Sequence, residues 1–337
     1  MDYKYDLVCI GSGPAGQRAA VQACKLGKKV ALIEKSNDVG GICLHTGTIP
    51  SKTFREAVLL QSSKTKVKNI DGLTDKSLDQ LFQDVQKIID NEVMVNNDQL
   101  SRNDVHVFHG EAVFLNTKEI LVKSEKDNIK LHSEFFLISV GANAIKPQGL
   151  SLNKKDIITS DEIFNLKVIP KSLSIIGCGV IGIEYASMFA KLGVEVTIID
   201  GRDRPLEFLD SEILDELIIQ IKKMGVVFKL NENVKDIEII KDEQRAVLIH
   251  LKSGKKVLSE LAILCAGRKG STENLNLEKV NVNVDDRGRI IVDKKFRSST
   301  KNIFAAGDVI GFPSLAATSF EQGRLASLYM FKKNNNL

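Results

Sequence analysis

The chain has 337 residues, 43% of them hydrophobic and 27% charged, with a formal net charge of +4. Such a length suggests about two domains, and such a balance describes an ordinary globular chain, with no charge excess that argues for nucleic acid or a membrane surface. No apolar run approaches the ~18 residues of a membrane-spanning helix, and the opening MDYKYDLVCIGSG lacks the basic and apolar regions of a signal peptide.

Tyr5 to Ile10 is a short apolar run that stops at Gly11-Ser12-Gly13-Pro14-Ala15-Gly16. A helical stretch follows with Ala19, Ala20, Ala23 and Leu26 on one face, and then the apolar run KVALIE ending at Glu34. Strand, glycine turn, helix and strand in that order form a dinucleotide-binding unit. Gly11 serves the tight turn, Gly13 lets a pyrophosphate approach the backbone, and Gly16 lets the helix pack close. The helix N-terminus offers free amides to phosphates. A carboxylate at Glu34 can accept hydrogen bonds from ribose hydroxyls.

Residues 54–104 are polar, with amphipathic helical spacing at Leu78, Leu81, Val85, Ile88 and Ile89. Lys64, Lys66 and Lys68 lie among small polar residues without aromatics and predict a solvated face, not a nucleic-acid site. Residues 105–132 alternate short apolar runs with polar links, which predicts an antiparallel meander. His106, His109 and His132 fall in these runs without metal-ligand spacing, so no metal is expected. Glu134 to Val140 predicts another strand, closed by Gly141. Residues 147–172, with Pro147 and Pro170, read as a linker.

A second unit then repeats the first. Ser174 to Ile176 runs into Gly177-Cys178-Gly179-Val180-Ile181-Gly182, a helix carries Tyr185, Met188 and Phe189, and the strand Val194 to Ile199 ends at Asp200. Gly11 and Glu34 are separated by the same interval as Gly177 and Asp200, so one supersecondary design occurs twice. Three further apolar runs lie between 226 and 265, before Gly267. The five cysteines, Cys9, Cys24, Cys43, Cys178 and Cys265, are few and scattered, a reduced and cytoplasmic pattern.

Between the first unit and the amphipathic stretch lies GGICLHTGTIPSK, Gly40 to Lys52. With the two glycine fingerprints, Ile303 to Asp308 (IFAAGD), Gly311-Phe312-Pro313-Ser314 and EQGR, it resembles the pyridine nucleotide–disulfide oxidoreductases. The resemblance covers nearly the whole chain. It implies an α/β fold of two Rossmann-like domains: an FAD-binding domain in two parts, 1–145 and 271–337, and an inserted NAD(P)-binding domain, 146–270. In the family the Gly40–Lys52 segment carries two cysteines that form a redox disulfide over the flavin. Here Cys43 holds the first position and Thr48 the second, and a hydroxyl forms no disulfide. In this the segment is similar to that of the soluble pyridine nucleotide transhydrogenases, which also reads GTIPSK.

The resemblance therefore implies an FAD-dependent enzyme that passes hydride between NADPH and NAD+. The alternatives are a dihydrolipoamide-dehydrogenase-like flavoprotein using Cys43 with another thiol, and a non-catalytic FAD- and NAD(P)-binding remnant. FAD contacts are implied at Gly11, Ser12, Gly13, Pro14, Ala15, Gly16, Glu34, Lys35, Gly40, Gly41, Cys43, Lys52, Ala112, Gly141 and Asp308. Nicotinamide-nucleotide contacts are implied at Gly177, Gly179, Val180, Ile181, Gly182, Asp200 and Gly267. Arg202 and Arg204 stand close enough to Asp200 to meet a 2′-phosphate. Lys52 and Glu184 match a pair that meets beside flavin N5, and a helix after Asp308 points its positive end at the flavin. Cys43 reads either as a structural remnant or as a single reactive thiol. Family members continue into a dimer-forming third domain. The sequence ends at Leu337, so the expectation is a chain without that interface, monomeric or complemented by a separate C-terminal chain.

Overall fold

The computed structural model describes residues 3–64, 75–125, 127–146, 155–240 and 246–331. By internal contact they fall into two units: 1–50 with 88–143 and 268–337, and 51–87 with 144–267.

The first unit is built on β1 (Tyr3–Ile10), α1 (Pro14–Lys25) and β2 (Val30–Glu34). Beyond α2 (Gly41–His45), α3 (Thr48–Lys64) and α4 (Asp75–Arg102) come β3 (His106–His109), β4 (Glu111–Asn116), β5 (Glu119–Lys123) and β6 (Asn128–Ile138). They form a seven-stranded sheet in the order β3-β2-β1-β6-β5-β4, with Ile303–Ala305 also paired to β6. β1 lies between β2 and β6, parallel to both.

This explains the unbroken apolar run Leu7–Ile10 in the second half of β1. Leu7 and Cys9 face one core with Ala19, Ala20 and Ala23 of α1, while Val8 and Ile10 face another with Phe114, Phe136 and Val280. A strand covered on both faces has no solvent side on which to place polar residues.

The expected meander is narrower than the sequence suggests. β4, β5 and β6 are antiparallel neighbours, but β3 is parallel to β2. IKLH and the following EFFLI are one strand, which pairs with β1 from Leu131 to Ile138. α4 turns Leu81, Val85 and Ile89 inward and leaves Ile88 exposed. Lys66, Lys68 and Pro147 lie outside the described residues, as do the side chains of Lys64 and Leu78.

In the second unit the strands Val227–Lys229, Glu195–Ile199, Ser172–Ile176, Leu261–Leu264 and Ile157–Thr159 form a five-stranded sheet, in that order, and every pair is parallel. A three-stranded antiparallel sheet, Val234–Ile240, Ala246–Leu251 and Lys256–Ser259, joins it through a core that includes Ile157, Ile199, Val247, Ile249 and Leu264. Two further helices, α5 (Val180–Lys191) and α6 (Ser211–Lys223), belong here. The stretch read as a linker thus supplies an edge strand, Ile157–Thr159, and a short 3-10 turn, Ser160–Asn165.

Residues 51–87 also pack in this unit. Phe54 is fully buried, with ring centroids 5.7 Å from Phe82, 5.9 Å from Phe164 and 6.1 Å from Phe189. Such a cluster of aromatic rings ties the start of the amphipathic stretch to the helix and turn that carry Phe189 and Phe164. Where the chain enters and leaves the 144–267 segment, the Ile145 amide donates to the Gly267 carbonyl at 3.0 Å. The chain's last described element is α7 (Ala316–Phe331).

Candidate dinucleotide sites

In the first unit the turn after β1 is shaped by what its glycines exclude. Gly11 has φ +97°, and a β-carbon there would fall 2.5 Å from the Ser139 carbonyl oxygen. On Gly16 it would fall 1.9 Å from the Gly11 carbonyl oxygen, so only glycine lets α1 start so near the strand. At Gly13, the N-cap of α1, a β-carbon meets nothing within 4 Å. That open space above an uncapped helix end is where a phosphate fits. Gly41 closes on the loop from the far side, its β-carbon position 2.9 Å from the Gly13 Cα.

Glu34 is buried at the end of β2. Its Oε2 accepts from the Ser12 amide at 3.0 Å and the Ser12 hydroxyl at 2.5 Å, and its Oε1 accepts from the Ser36 amide at 2.9 Å. The Ser12 hydroxyl in turn accepts the Gly40 amide at 2.9 Å. Its partners are all neutral donors. Lys35 is exposed beside it, Ala112 is buried in the core, and Gly141 has φ +68° with open space at its β-carbon position.

The Gly40–Lys52 segment runs through α2 into α3. The Cys43 thiol and the Thr48 hydroxyl are hydrogen bonded. Burial pushes the thiol up from its ordinary range, the bond from Thr48 opposes this, and the charge of Asp308 adds to the rise. All five cysteines are free. Thr46 keeps a buried hydroxyl without a partner.

Asp308 opens a 3-10 turn behind Gly307, whose φ is +84°. Burial pushes its carboxyl up, while the Arg268 charge and a hydrogen bond from Ser319 oppose the rise. The Gly307 amide donates to Gln322 Oε1 of α7 at 2.8 Å, and Arg268 Nη2 donates to the Ala142 carbonyl at 2.5 Å. Arg268, Ser319 and Gln322 were not singled out as site residues from the sequence. EQGR held a signal for Gln322, and position after the closing Gly267 held one for Arg268. An open phosphate cradle, a buried acid at the strand end and a second buried acid fit a flavin dinucleotide.

The second unit repeats the cradle. Gly177 has φ +112°, with its β-carbon position 2.3 Å from the Cys265 carbonyl oxygen. Gly182 would clash with the Gly177 oxygen at 2.1 Å, and Gly179 again faces open space. Val180 and Ile181 begin α5 at this uncapped end, and Gly267 has φ +105°. The Cys178 amide donates to Asp200 Oδ2 at 2.6 Å, as Ser12 does to Glu34.

Here the acid also has a cationic partner. Arg202 Nε donates to Asp200 Oδ1 at 2.9 Å and Nη2 to Oδ2 at 2.7 Å, while the Arg202 amide reaches Oδ1 at 2.9 Å. Burial pushes the Asp200 carboxyl up, but the bonds from Arg202 and Cys178 leave it below its ordinary range. Arg204 instead reaches Asp215 of α6 at 3.1 Å. Lys52 and Glu184 are joined by an ion pair, both side chains more than a third exposed. Among the described residues no cluster of His, Cys, Asp and Glu can hold a metal, and no helix is long and apolar enough to cross a membrane.

Comparison with known proteins agrees with this geometry. The family model described as pyridine nucleotide-disulphide oxidoreductase matches residues 5–323. The soluble pyridine nucleotide transhydrogenase of Mycobacterium bovis (strain BCG / Pasteur 1173P2) is 40% identical over 335 residues, covering 97% of this chain and 71% of that protein. That of Pseudomonas aeruginosa (strain LESB58) is 38% identical over 329 residues, covering 96% and 70%. Among solved structures, the HOCl-induced flavoprotein disulfide reductase RclA from Escherichia coli matches with a TM-score of 0.87 at 29% identity, over 98% of this chain and 72% of that one. LpdA from Mycobacterium tuberculosis shares the fold, with a TM-score of 0.88 at 24% identity over 98% and 73%. The chain belongs to the pyridine nucleotide–disulphide oxidoreductase family and is an FAD-dependent oxidoreductase of nicotinamide nucleotides.

Proposed function

We propose that the chain transfers hydride from NADPH to NAD+ by way of FAD, as the names of its transhydrogenase relatives imply. The observation that carries this reading is the Cys43–Thr48 pair. With a hydroxyl in place of the second thiol there is no dithiol to relay electrons to a disulfide substrate, so reducing equivalents leave by the nicotinamide route they entered. FAD, when bound, supplies the hydride acceptor and donor.

The chain's own residues bind and orient. In this reading 1–145 and 271–337 form the FAD-binding domain, and 146–270 the NAD(P)-binding domain. The Gly11–Gly16 loop takes the FAD pyrophosphate, Glu34 its adenosine ribose, and Asp308 the ribityl chain. The Gly177–Gly182 loop takes the nicotinamide nucleotide's pyrophosphate, with Asp200 and Arg202 at its adenosine ribose. Lys52 stabilises negative charge near the reacting flavin atom, and Glu184 holds Lys52 in place. Cys43, kept protonated by burial, takes no part in a thiol relay. The five free cysteines support a cytoplasmic setting.

The test is a sequential stopped-flow experiment on the purified yellow protein. Mixing with NADPH should bleach the flavin absorbance, and a second mixing with NAD+ should restore it with formation of NADH. A colourless protein, or bleaching that NAD+ does not reverse, rejects the proposal.

A further inference from the structure

The two nucleotide units are alike in backbone and differ in what holds their ribose-binding acid. Glu34 is satisfied by the Ser12 amide and hydroxyl and the Ser36 amide, all neutral. Asp200 has one guanidinium across both oxygens, with Nε on Oδ1 and Nη2 on Oδ2. Two backbone amides, from Cys178 and Arg202, fix the carboxylate from behind. The Asp200 side chain is 8% exposed and that of Arg202 is 43% exposed. The acid is therefore held in place by backbone as well as by the arginine, while the Arg202 side chain is partly open to solvent.

We propose that Arg202 is an internal competitor for the nucleotide ribose. It occupies Asp200 in the free protein, gives the carboxylate up to the ribose hydroxyls of NAD(H), and turns to the 2′-phosphate when NADP(H) binds. This rests on the nicotinamide-nucleotide reading of the second unit. Arg204 is not a competitor for the Asp200 carboxylate, because its guanidinium reaches Asp215 on α6 instead, at 3.1 Å. One arginine thus has effects of opposite sign on the two ligands. It is an attractive contact for the phosphorylated nucleotide. For the unphosphorylated one it is a bidentate ion pair that must first be broken.

The test measures binding by calorimetry, using the full chain with ADP-ribose and 2′-phospho-ADP-ribose, so that hydride transfer plays no part. The variant R202M keeps the stem and the backbone amide. It should weaken 2′-phospho-ADP-ribose by about 10- to 100-fold, the scale of a lost charge-assisted contact, and should tighten ADP-ribose. D200N should do the reverse, and R204M, which removes no bond to Asp200, should not tighten ADP-ribose. Equal weakening of both ligands by R202M, or weaker ADP-ribose binding, overturns the competitor role while leaving the nucleotide site standing. If the unaltered chain binds neither ligand, the functional reading falls and this inference with it.

Discussion

Gly323 of α7 lies so near Ala15 of α1 that a β-carbon on it would fall 2.1 Å from the Ala15 carbonyl oxygen. The obstacle is backbone, which no side-chain rotation relieves. Replacing a helical glycine by alanine ordinarily favours the helix by about 1 kcal/mol. Here the overpacking, of about 1–3 kcal/mol or more, outweighs that gain. Gly323→Ala should therefore lower the melting temperature. It should also loosen flavin, because α7 carries Ser319 and Gln322, which hold Asp308 and Gly307. Thermal melts and flavin content per chain measure both effects. A variant as stable and as yellow as the parent would show that the two helices separate freely.

In the proposed function Thr48 decides which substrates can be reduced. The unaltered protein should turn over neither dihydrolipoamide-type nor glutathione-type disulfides above the enzyme-free background. Thr48→Cys gives Cys43 a partner thiol at the position its hydrogen bond already marks. On reduction the variant should gain a long-wavelength absorbance that the parent lacks, and two thiols should appear in titration. Turnover of either disulfide by the parent contradicts the assignment.

Phe54 should be the weakest point at which to cut the second unit. It is fully buried among Phe82, Phe164 and Phe189. Phe54→Ala should destabilise by about 3–5 kcal/mol, the range for emptying an aromatic core site. Hydrogen exchange should place the lost protection in 51–87 and 144–267, the segments that pack with it. A loss spread evenly over the whole chain would contradict the contact division.

Alkaline pH should erode stability through the thiols. Burial, with nearby Asp104, pushes Cys24 up to about 11. Burial, with Asp200 beside one and Asp161 beside the other, pushes Cys178 and Cys265 up to about 12. Cys9, wholly buried, is raised further. Below the unfolded thiol pKa of about 8.5, both states are protonated and the thiols add no pH dependence. Above it the unfolded chain releases protons that the folded chain retains, so stability falls as pH rises. Urea midpoints should decline between about pH 8.5 and 10, and Cys9→Ala should flatten the decline. A midpoint constant across that range would show that the thiols are not shielded.

Much of the fold is local and therefore legible in sequence. A doubly covered strand must be apolar throughout, and the outer glycines of each turn, Gly11 with Gly16 and Gly177 with Gly182, stand where a β-carbon would strike a carbonyl. Both cradles, their helices and the acids Glu34 and Asp200 can be read this way. Ile157–Thr159 is a strand only because Leu261–Leu264 lies beside it, and two isoleucines and a threonine in a proline-flanked stretch do not announce that. Val234–Ile240 carries charges on its outer face, which masks its alternation. The pairing of β3 with β2 rather than β4 depends on a partner far away in sequence. At the sites, Arg202 and Arg204 look equivalent in GRDRP. Their separation, one on Asp200 and the other on Asp215, is decided by side-chain geometry. Arg268 meets Asp308 only because distant segments converge.

The bond between the Ile145 amide and the Gly267 carbonyl places the entrance and the exit of the long insertion side by side. Both of the chain's outer segments belong to the first unit. Tension drawn between the two ends is therefore taken up first by the pairing of β1, β6 and Ile303–Ala305, strands reached before the insertion and after it. The insertion stays slack while that pairing holds. Under mechanical load the first cradle should open before the second, whatever their relative thermal stability.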